Sequence, residues 1–216
     1  MSLDAYYSAR AKAYENVYTE VDATRRSELN QIRNILTDLF AGHTVLEVAC
    51  GTGYWTRALA AKAAQVVAID ASTAMLEVAQ SHLVASTTVT FYHADAYHLD
   101  AVPGTFSGGM ANFWLSHVPK SRLHAFLTQF HRRLEPKATV MLADNVYIPG
   151  VGGDLITKPA DDNTYKRRQC DGRVYEVLKN YYTSEELWSL FEPYADHLTI
   201  RMGYGYWWLW YTVKPF

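Results

Sequence analysis

The residues whose types and spacing can do chemistry gather first around a turn of small residues, Glu47-Val48-Ala49-Cys50-Gly51-Thr52-Gly53, between an apolar run and an alanine-rich stretch. A strand that runs into glycines and then a helix lets backbone approach a ligand and offers it the free N–H groups of the helix start. Alone, that is a general nucleotide-binding device. Two further acids sharpen it: Asp70 closes the next apolar run (QVVAID), and Asp95 follows a third (FYHAD). Asp70 falls beside the glycine turn, where a carboxylate can accept from both hydroxyls of a ribose. Glu47, at the core end of its run, is costly unless it finds partners. Three acids after three successive parallel strands point at one crevice, the place where open α/β sheets bind ligands.

A candidate general base is His117, which follows a fourth apolar run in NFWLSHVP. Imidazole has an ordinary pKa of about 6.5, suited to proton removal, although such a histidine also serves as a turn cap. His93 and His98 flank Asp95 and read as structural. The eight histidines include no HExxH spacing, so no metal is expected. Further on, Tyr165-Lys166-Arg167-Arg168 and Lys179-Asn180-Tyr181-Tyr182 mix cations with phenols. Arg168 or Lys179 could grip an anionic acceptor, or the segments could form a solvated, salt-bridged strand pair. Tyr7 and Arg10 are equally candidate pocket residues.

The elements that must position these groups follow from periodicity. Residues 5–15 and 24–40 read as helices, the second with Leu29, Ile32, Ile35, Leu36 and Leu39 on one face and Gly42 as its stop. Strands are expected at Thr44–Val48, Gln65–Asp70, Thr87–His93, Ser107–Asn112 and Ala138–Asp144. The fourth is weakened by two glycines. Between them lie helices at 54–64, from Ser72 to about Leu83, and at 120–134, the last closed by Pro136. Residues 146–164 read as a loop or insertion. A helix capped by Thr183 follows, and Thr199–Met202 and Tyr206–Val213 form two closing strands around Gly203-Tyr204-Gly205.

With 216 residues, the chain suits one domain with a large core. A net charge of −2 offers no basic surplus for nucleic acid. Cys50 and Cys170 suggest no disulfide framework. The polar start MSLDAYYSARAKAYE and the short aromatic run 206–211 give no secretion signal or membrane span, so a cytoplasmic protein is expected. The 16 Tyr and 6 Trp suit an aromatic-lined pocket for a small organic acceptor.

VLEVACGTG (45–53), VVAIDASTAML (66–76), FYHADAYHL (91–99), FSGGMANFWLSHVP (106–119) and RLEPKATVMLAD (133–144) resemble, in order and spacing, the motifs of class I S-adenosylmethionine-dependent methyltransferases. The resemblance covers roughly residues 40–145, and departs from the usual pattern where Ala49 replaces a glycine. It implies a three-layer αβα fold around a mostly parallel seven-stranded sheet of Rossmann-like type, with N-terminal helices and an antiparallel C-terminal strand. It divides the single domain into a helical lid (1–40), a cofactor core (41–145) and an acceptor-pocket insertion with closing strands (146–216). Backbone at Ala49, Gly51, Thr52 and Gly53 would line the methionine part of the donor, with Glu47 near its amino end. Asp70 would hold the ribose, Ala71 and Met75 would flank the adenine, and Asp95 with Ala96 would meet its amine and ring. Asn112 and Phe113 would sit by the donor carboxylate and sulfonium, with Tyr14 closing over them. Trp114 is a further aromatic for the sulfonium or the acceptor.

The acceptor expected is a small molecule, with no nucleic acid or membrane partner and a monomeric or homodimeric state. Three alternatives stay open: a nicotinamide-dependent Rossmann oxidoreductase, disfavoured by the turn's Thr56; a methyltransferase for protein or nucleic acid, disfavoured because Asn112-Phe113-Trp114-Leu115 is not an Asn-Pro-Pro-Tyr tetrapeptide; and a non-catalytic cofactor-binding subunit.

Overall fold

In the computed structural model, which describes residues 3–84, 86–170 and 172–215, the chain opens with short helical pieces. Helix α1 (Leu3–Arg10) passes through a single 3-10 turn into α2 (Asn16–Thr19), so the expected helix over 5–15 is broken in two. Helix α3 (Ala23–Leu39) is started by the Asp22 carboxylate, which accepts from the Arg25 backbone N–H, and it buries Leu29, Ile32 and Leu36. Strands and helices then alternate: β1 (Thr44–Val48), α4 (Tyr54–Leu59), β2 (Gln65–Asp70), α5 (Thr73–His82), β3 (Val89–His93), β4 (Phe106–Met110), α6 (Leu123–Arg132) and β5 (Leu134–Asn145).

The main sheet has seven strands in the order β3-β2-β1-β4-β5-β10-β9. The five core strands are parallel, and β10 (Tyr206–Val213) runs antiparallel to both β5 and β9 (Ala195–Met202). Alternate residues of β1 enter opposite apolar layers: Val45 packs with α3 and α4, and Leu46 with α6 and α7 (Ser184–Phe191). A fully buried sheet needs such two-sided cover. Reversal of the strand order between β1 and β4 opens the crevice in which this architecture places ligands.

Several departures from the expected elements have local causes. The glycines that weaken β4 are packing requirements. A Cβ on Gly108 would lie 2.8 Å from Phe40, and one on Gly109 2.7 Å from Phe130. Pro136 does not close the helix, which already ends at Arg132, but lies inside β5, where Lys137 at φ 65° and a register shift opposite Phe106/Gly108 absorb it. Helix α4 stops at Leu59 because Ala64 turns away to donate to the His43 carbonyl (2.9 Å).

The stretch 146–164 is not wholly loop. It contains β6 (Leu155–Lys158) and the start of β7 (Asp161–Cys170), which with β8 (Arg173–Leu178) form a second, antiparallel three-stranded sheet. The β7–β8 pair matches the solvated strand pair considered for the Tyr165–Arg168 region, whereas β6, short and exposed, was hidden from a hydrophobicity pattern. α1 docks on this sheet through Tyr6, Tyr175 and Val177. Helix α7 has the expected capping box between Thr183 and Glu186. Glu28, buried on α3, receives the N–H groups of Tyr204 (2.6 Å), Gly205 (2.9 Å) and Tyr206 (3.2 Å), which fixes the closing turn.

Candidate active site

At the C-terminal end of β1 the chain makes three left-handed steps in the glycine turn, Ala49 at φ 57°, Gly51 at φ 56° and Gly53 at φ 78°. That conformation is uncomfortable for Ala49, because of its Cβ. Asp70 holds the turn together: Oδ2 accepts the Gly51 N–H and Oδ1 accepts the Ser72 N–H, both at 2.8 Å. Ser72 in turn caps α5 through the Met75 N–H. The carboxylate thus shapes the loop.

These residues wall a cavity of about 560 Å³, within the range of small-molecule sites. Around it stand Tyr14, Ala49, Gly51, Asp70, Ala71, Met75, Asp95, Ala96, Phe113, Trp114 and His117. Tyr14 lies over the turn: a Cβ on Gly51 would be 3.9 Å from its ring. Four other expected residues do not reach the cavity wall. Thr52 donates to Glu15 of the lid (3.0 Å), and Gly53 allows the turn to pack within 3.2 Å of Ala79. Glu47 and Asn112 are buried behind the turn, at 2% and 6% exposure. Both keep an oxygen, Oε2 and Oδ1, with no hydrogen-bond partner among the described residues. Burial pushes Glu47 up to about 8; the Thr56 hydroxyl pulls it back a little and the Asp70 charge pushes it up again.

A second cavity of about 210 Å³ adjoins the first, and the two share Tyr7, Tyr14, Phe113 and His117 as a common wall. Phe113 itself sits at φ 58°, so β4 ends in a sharp turn at this wall. Its ring stacks on Trp55 (5.8 Å) and meets Tyr18 edge-on (5.4 Å), while Tyr7 meets Tyr14 at 5.6 Å. Arg10, Arg168 and Lys179 line this second cavity, but Trp114 lines only the first. The structure also brings in residues that sequence reasoning did not single out. Tyr97 and Arg122 join the larger cavity, their cation and ring 3.5 Å apart, and Tyr18, Gly152 and Lys166 join the smaller one. Lys166 and Arg168 alternate along one strand, so period-2 reading of the cationic run would have put them on one face.

The two candidate groups His117 and Lys179 are both heavily engaged. His117 Nδ1 lies 2.7 Å from the Leu178 carbonyl, an acceptor only, so Nδ1 carries the proton. Nε2 therefore accepts from the Tyr7 hydroxyl at 2.7 Å. Burial, with the nearby Lys179 charge, lowers the imidazole to about 3, and burial raises Tyr7 well above its usual value. Lys179 donates to Asp144 Oδ1 (2.8 Å) and Ser116 Oγ (2.7 Å), and Asp144 Oδ2 accepts the Ser116 N–H (3.0 Å). Among the described residues no group of three acids, histidines or cysteines could hold a metal ion, and no helix is long and apolar enough to cross a membrane.

A crevice at the strand-order reversal, a small-residue turn pinned by an acid, and an aromatic wall define a site for an adenosyl-type cofactor. The family described as Methyltransferase domain matches residues 45–137. A demethylmenaquinone methyltransferase of Staphylococcus aureus (strain MRSA252) is 33% identical over 180 residues, covering 74% of this chain and 70% of that protein. One from Clavibacter sepedonicus is 34% identical over 142 residues, 64% of this chain, a match that spans only 57% of the relative's length. The solved structure of a DhpI–SAH complex superposes with a TM-score of 0.76 at 26% identity, covering 98% of this chain and 95% of that one. The chain belongs to the S-adenosylmethionine-dependent methyltransferases of the Rossmann-like class. Its cofactor is S-adenosylmethionine.

The residues present fit that cofactor. The turn leaves room beside Gly51, and the orphaned oxygens of Glu47 and Asn112 are acceptors in want of a donor such as an ammonium group.

Proposed function

We propose that the larger cavity takes the methyl donor, that the smaller takes a small-molecule acceptor, and that methyl transfer occurs across their common wall. The shared wall of Tyr7, Tyr14, Phe113 and His117 is the observation that carries this reading. When bound, S-adenosylmethionine supplies a cationic sulfonium whose methyl carbon is open to displacement. Tyr14 and Phe113 offer ring faces to that cation. Asp70 accepts from the ribose hydroxyls, and Ala71, Met75, Asp95 and Ala96 enclose the base. Ala49 and Gly51 line the methionine portion, with Glu47 and Asn112 behind them completing its polar contacts. Thr52 and Gly53 shape the turn, and Trp114 belongs to the donor side.

Displacement depends chiefly on aligning acceptor, methyl and sulfur, so residues that hold position can supply much of the rate. His117 is assigned as a positioning residue for Tyr7 in place of a free base, because its Nε2 is already engaged and its basicity is low. Relatives named for demethylmenaquinone and ubiquinone biosynthesis support a small organic acceptor. The test is transfer from tritiated S-adenosylmethionine in a cell extract, followed by fractionation. Label in small organic molecules supports the reading; label confined to protein or nucleic acid overturns it.

A further inference from the structure

Lys166 is a buried ammonium with no ion-pair partner among the described residues. It is 1% exposed, donates only to the carbonyls of Gly153 (2.8 Å) and Val151 (3.3 Å), and faces the rings of Tyr147 (4.8 Å) and Tyr181 (5.8 Å). No described carboxylate comes within ion-pair reach of it; Asp154 acts on it only through space. A lone buried charge costs several kcal/mol unless an opposite charge meets it. Lys179, just past the end of the neighbouring strand β8, shows the usual remedy in its pair with Asp144.

Of the other cations that line the same cavity, Arg25 is paired with Asp22 and Lys179 with Asp144, which leaves Arg168 and Arg10. The Arg168 side chain makes no hydrogen bond or ion pair with any described residue, and its guanidinium lies against the loop. A Cβ on Gly152 would be 2.8 Å from both terminal nitrogens. Arg10 reaches in from α1, donating to the Tyr6 hydroxyl (2.6 Å). The wall's one carboxylate outside the Lys179 pair, Glu20, is exposed and accepts from Asn16 (2.8 Å). The smaller cavity therefore holds three cations, Lys166, Arg168 and Arg10, that have no ion-pair partner among the described residues.

We propose that the acceptor carries an acidic oxyanion group, seated between Lys166, Arg168 and Arg10. This rests on the reading that the smaller cavity is the acceptor's. Because Arg10 belongs to α1 and the other two to β7, the anion also ties the lid to the small sheet. Guanidinium groups bind such oxygens in a fixed fork, and an ammonium adds a point charge.

The experiment titrates the chain, saturated with S-adenosylhomocysteine, with inorganic phosphate or with acetate at constant ionic strength, reading the unfolding midpoint and calorimetric heat. Saturable binding that raises the midpoint by a few degrees is expected, and it should vanish in Lys166→Met and Arg168→Gln. The stronger response tells whether the acid is tetrahedral or a carboxylate. Should Lys166→Met fail to fold, the partly exposed Arg168→Gln carries the test. No response to either anion, or a response unchanged in the variants, overturns the proposal. Loss of S-adenosylhomocysteine binding in the parent chain would instead overturn the assignment of the larger cavity.

Discussion

The larger cavity is walled mainly by backbone turns that leave three adjacent parallel strands, whereas the smaller is walled by side chains borrowed from α1, α2, β7 and β8. In the first, the key carboxylate bonds within consecutive elements: Asp70 to Ser72, two residues on, and to Gly51, 19 residues back at the end of the preceding strand. In the second, partners are remote, as with Tyr7 and His117 or Lys179 and Asp144. A contiguous motif can specify the first kind of site, because turn geometry is local. The second exists only after the chain has folded, and its residues acquire their roles from what they meet.

The sharpest way to break that contrast is to treat two lysines of the smaller cavity alike. Lys179→Met leaves Asp144 buried without a counter-charge, and should cost about 3–5 kcal/mol of stability. For a chain of this size that lowers the unfolding midpoint by roughly 10 °C. Lys166→Met strands no carboxylate and should cost less than about 1.5 kcal/mol. Thermal melts of the two variants decide it. Equal losses would show that Lys166 has a structural partner after all.

On the donor side the largest effect belongs to Asp70. Asp70→Ala removes the acceptor for Gly51 and Ser72 together with the carboxylate proposed to hold the ribose. S-adenosylhomocysteine affinity should fall by about 1–3 kcal/mol, measured by calorimetry. Unchanged affinity would leave Asp70 with the loop alone.

These contrasts also explain what the residue pattern could and could not show. The order of strands and helices, the turn and its two following acids, and the capping box at Thr183 were all legible, since each depends on neighbours in the chain. The larger cavity gathers Ala49, Gly51, Asp70, Ala71, Met75, Asp95, Ala96 and Phe113 from the ends of consecutive strands, and Tyr14 from the N-terminal segment. The hairpin within 146–164 was not legible, because strands exposed on one side carry no apolar run. Nor could sequence separate Lys179 from Lys166. Both stand in cationic, phenol-rich segments, and only the fold gives one of them Asp144. Arg122 was missed for the same reason: its place over Tyr97 follows from tertiary packing.

Glu47 gives a subtler measure of how far the donor side is prepared in advance. With a pKa of about 8 it is mostly protonated at neutral pH in the ligand-free chain. A ligand ammonium beside it would favour the ionised form, so binding should release about one proton. Calorimetry of S-adenosylhomocysteine at pH 7 in buffers of different ionisation enthalpy reads that release. It should disappear in Glu47→Gln. Binding without proton release would place the ligand's amino group elsewhere.

The smallest effect on donor affinity is expected at the common wall itself. His117→Ala should shift S-adenosylhomocysteine affinity by no more than about 0.5 kcal/mol, since its nitrogens serve Tyr7 and Leu178 and not the donor. Its proton equilibrium supplies a second readout. The folded imidazole sits at about 3, far below the value near 6.5 that it takes once unfolded. As pH falls below about 6.5 the unfolded chain binds the proton first, so stability drops toward acid; buried His131, lowered to about 4, acts in the same direction. His117→Ala should therefore lose less stability than the parent between pH 7 and 5. For the same reason the methyl-transfer rate of the parent should show no limb near pH 6.5. A limb there that vanishes in the variant would make His117 a proton acceptor, and would move the chemistry of the acceptor side from binding to base catalysis.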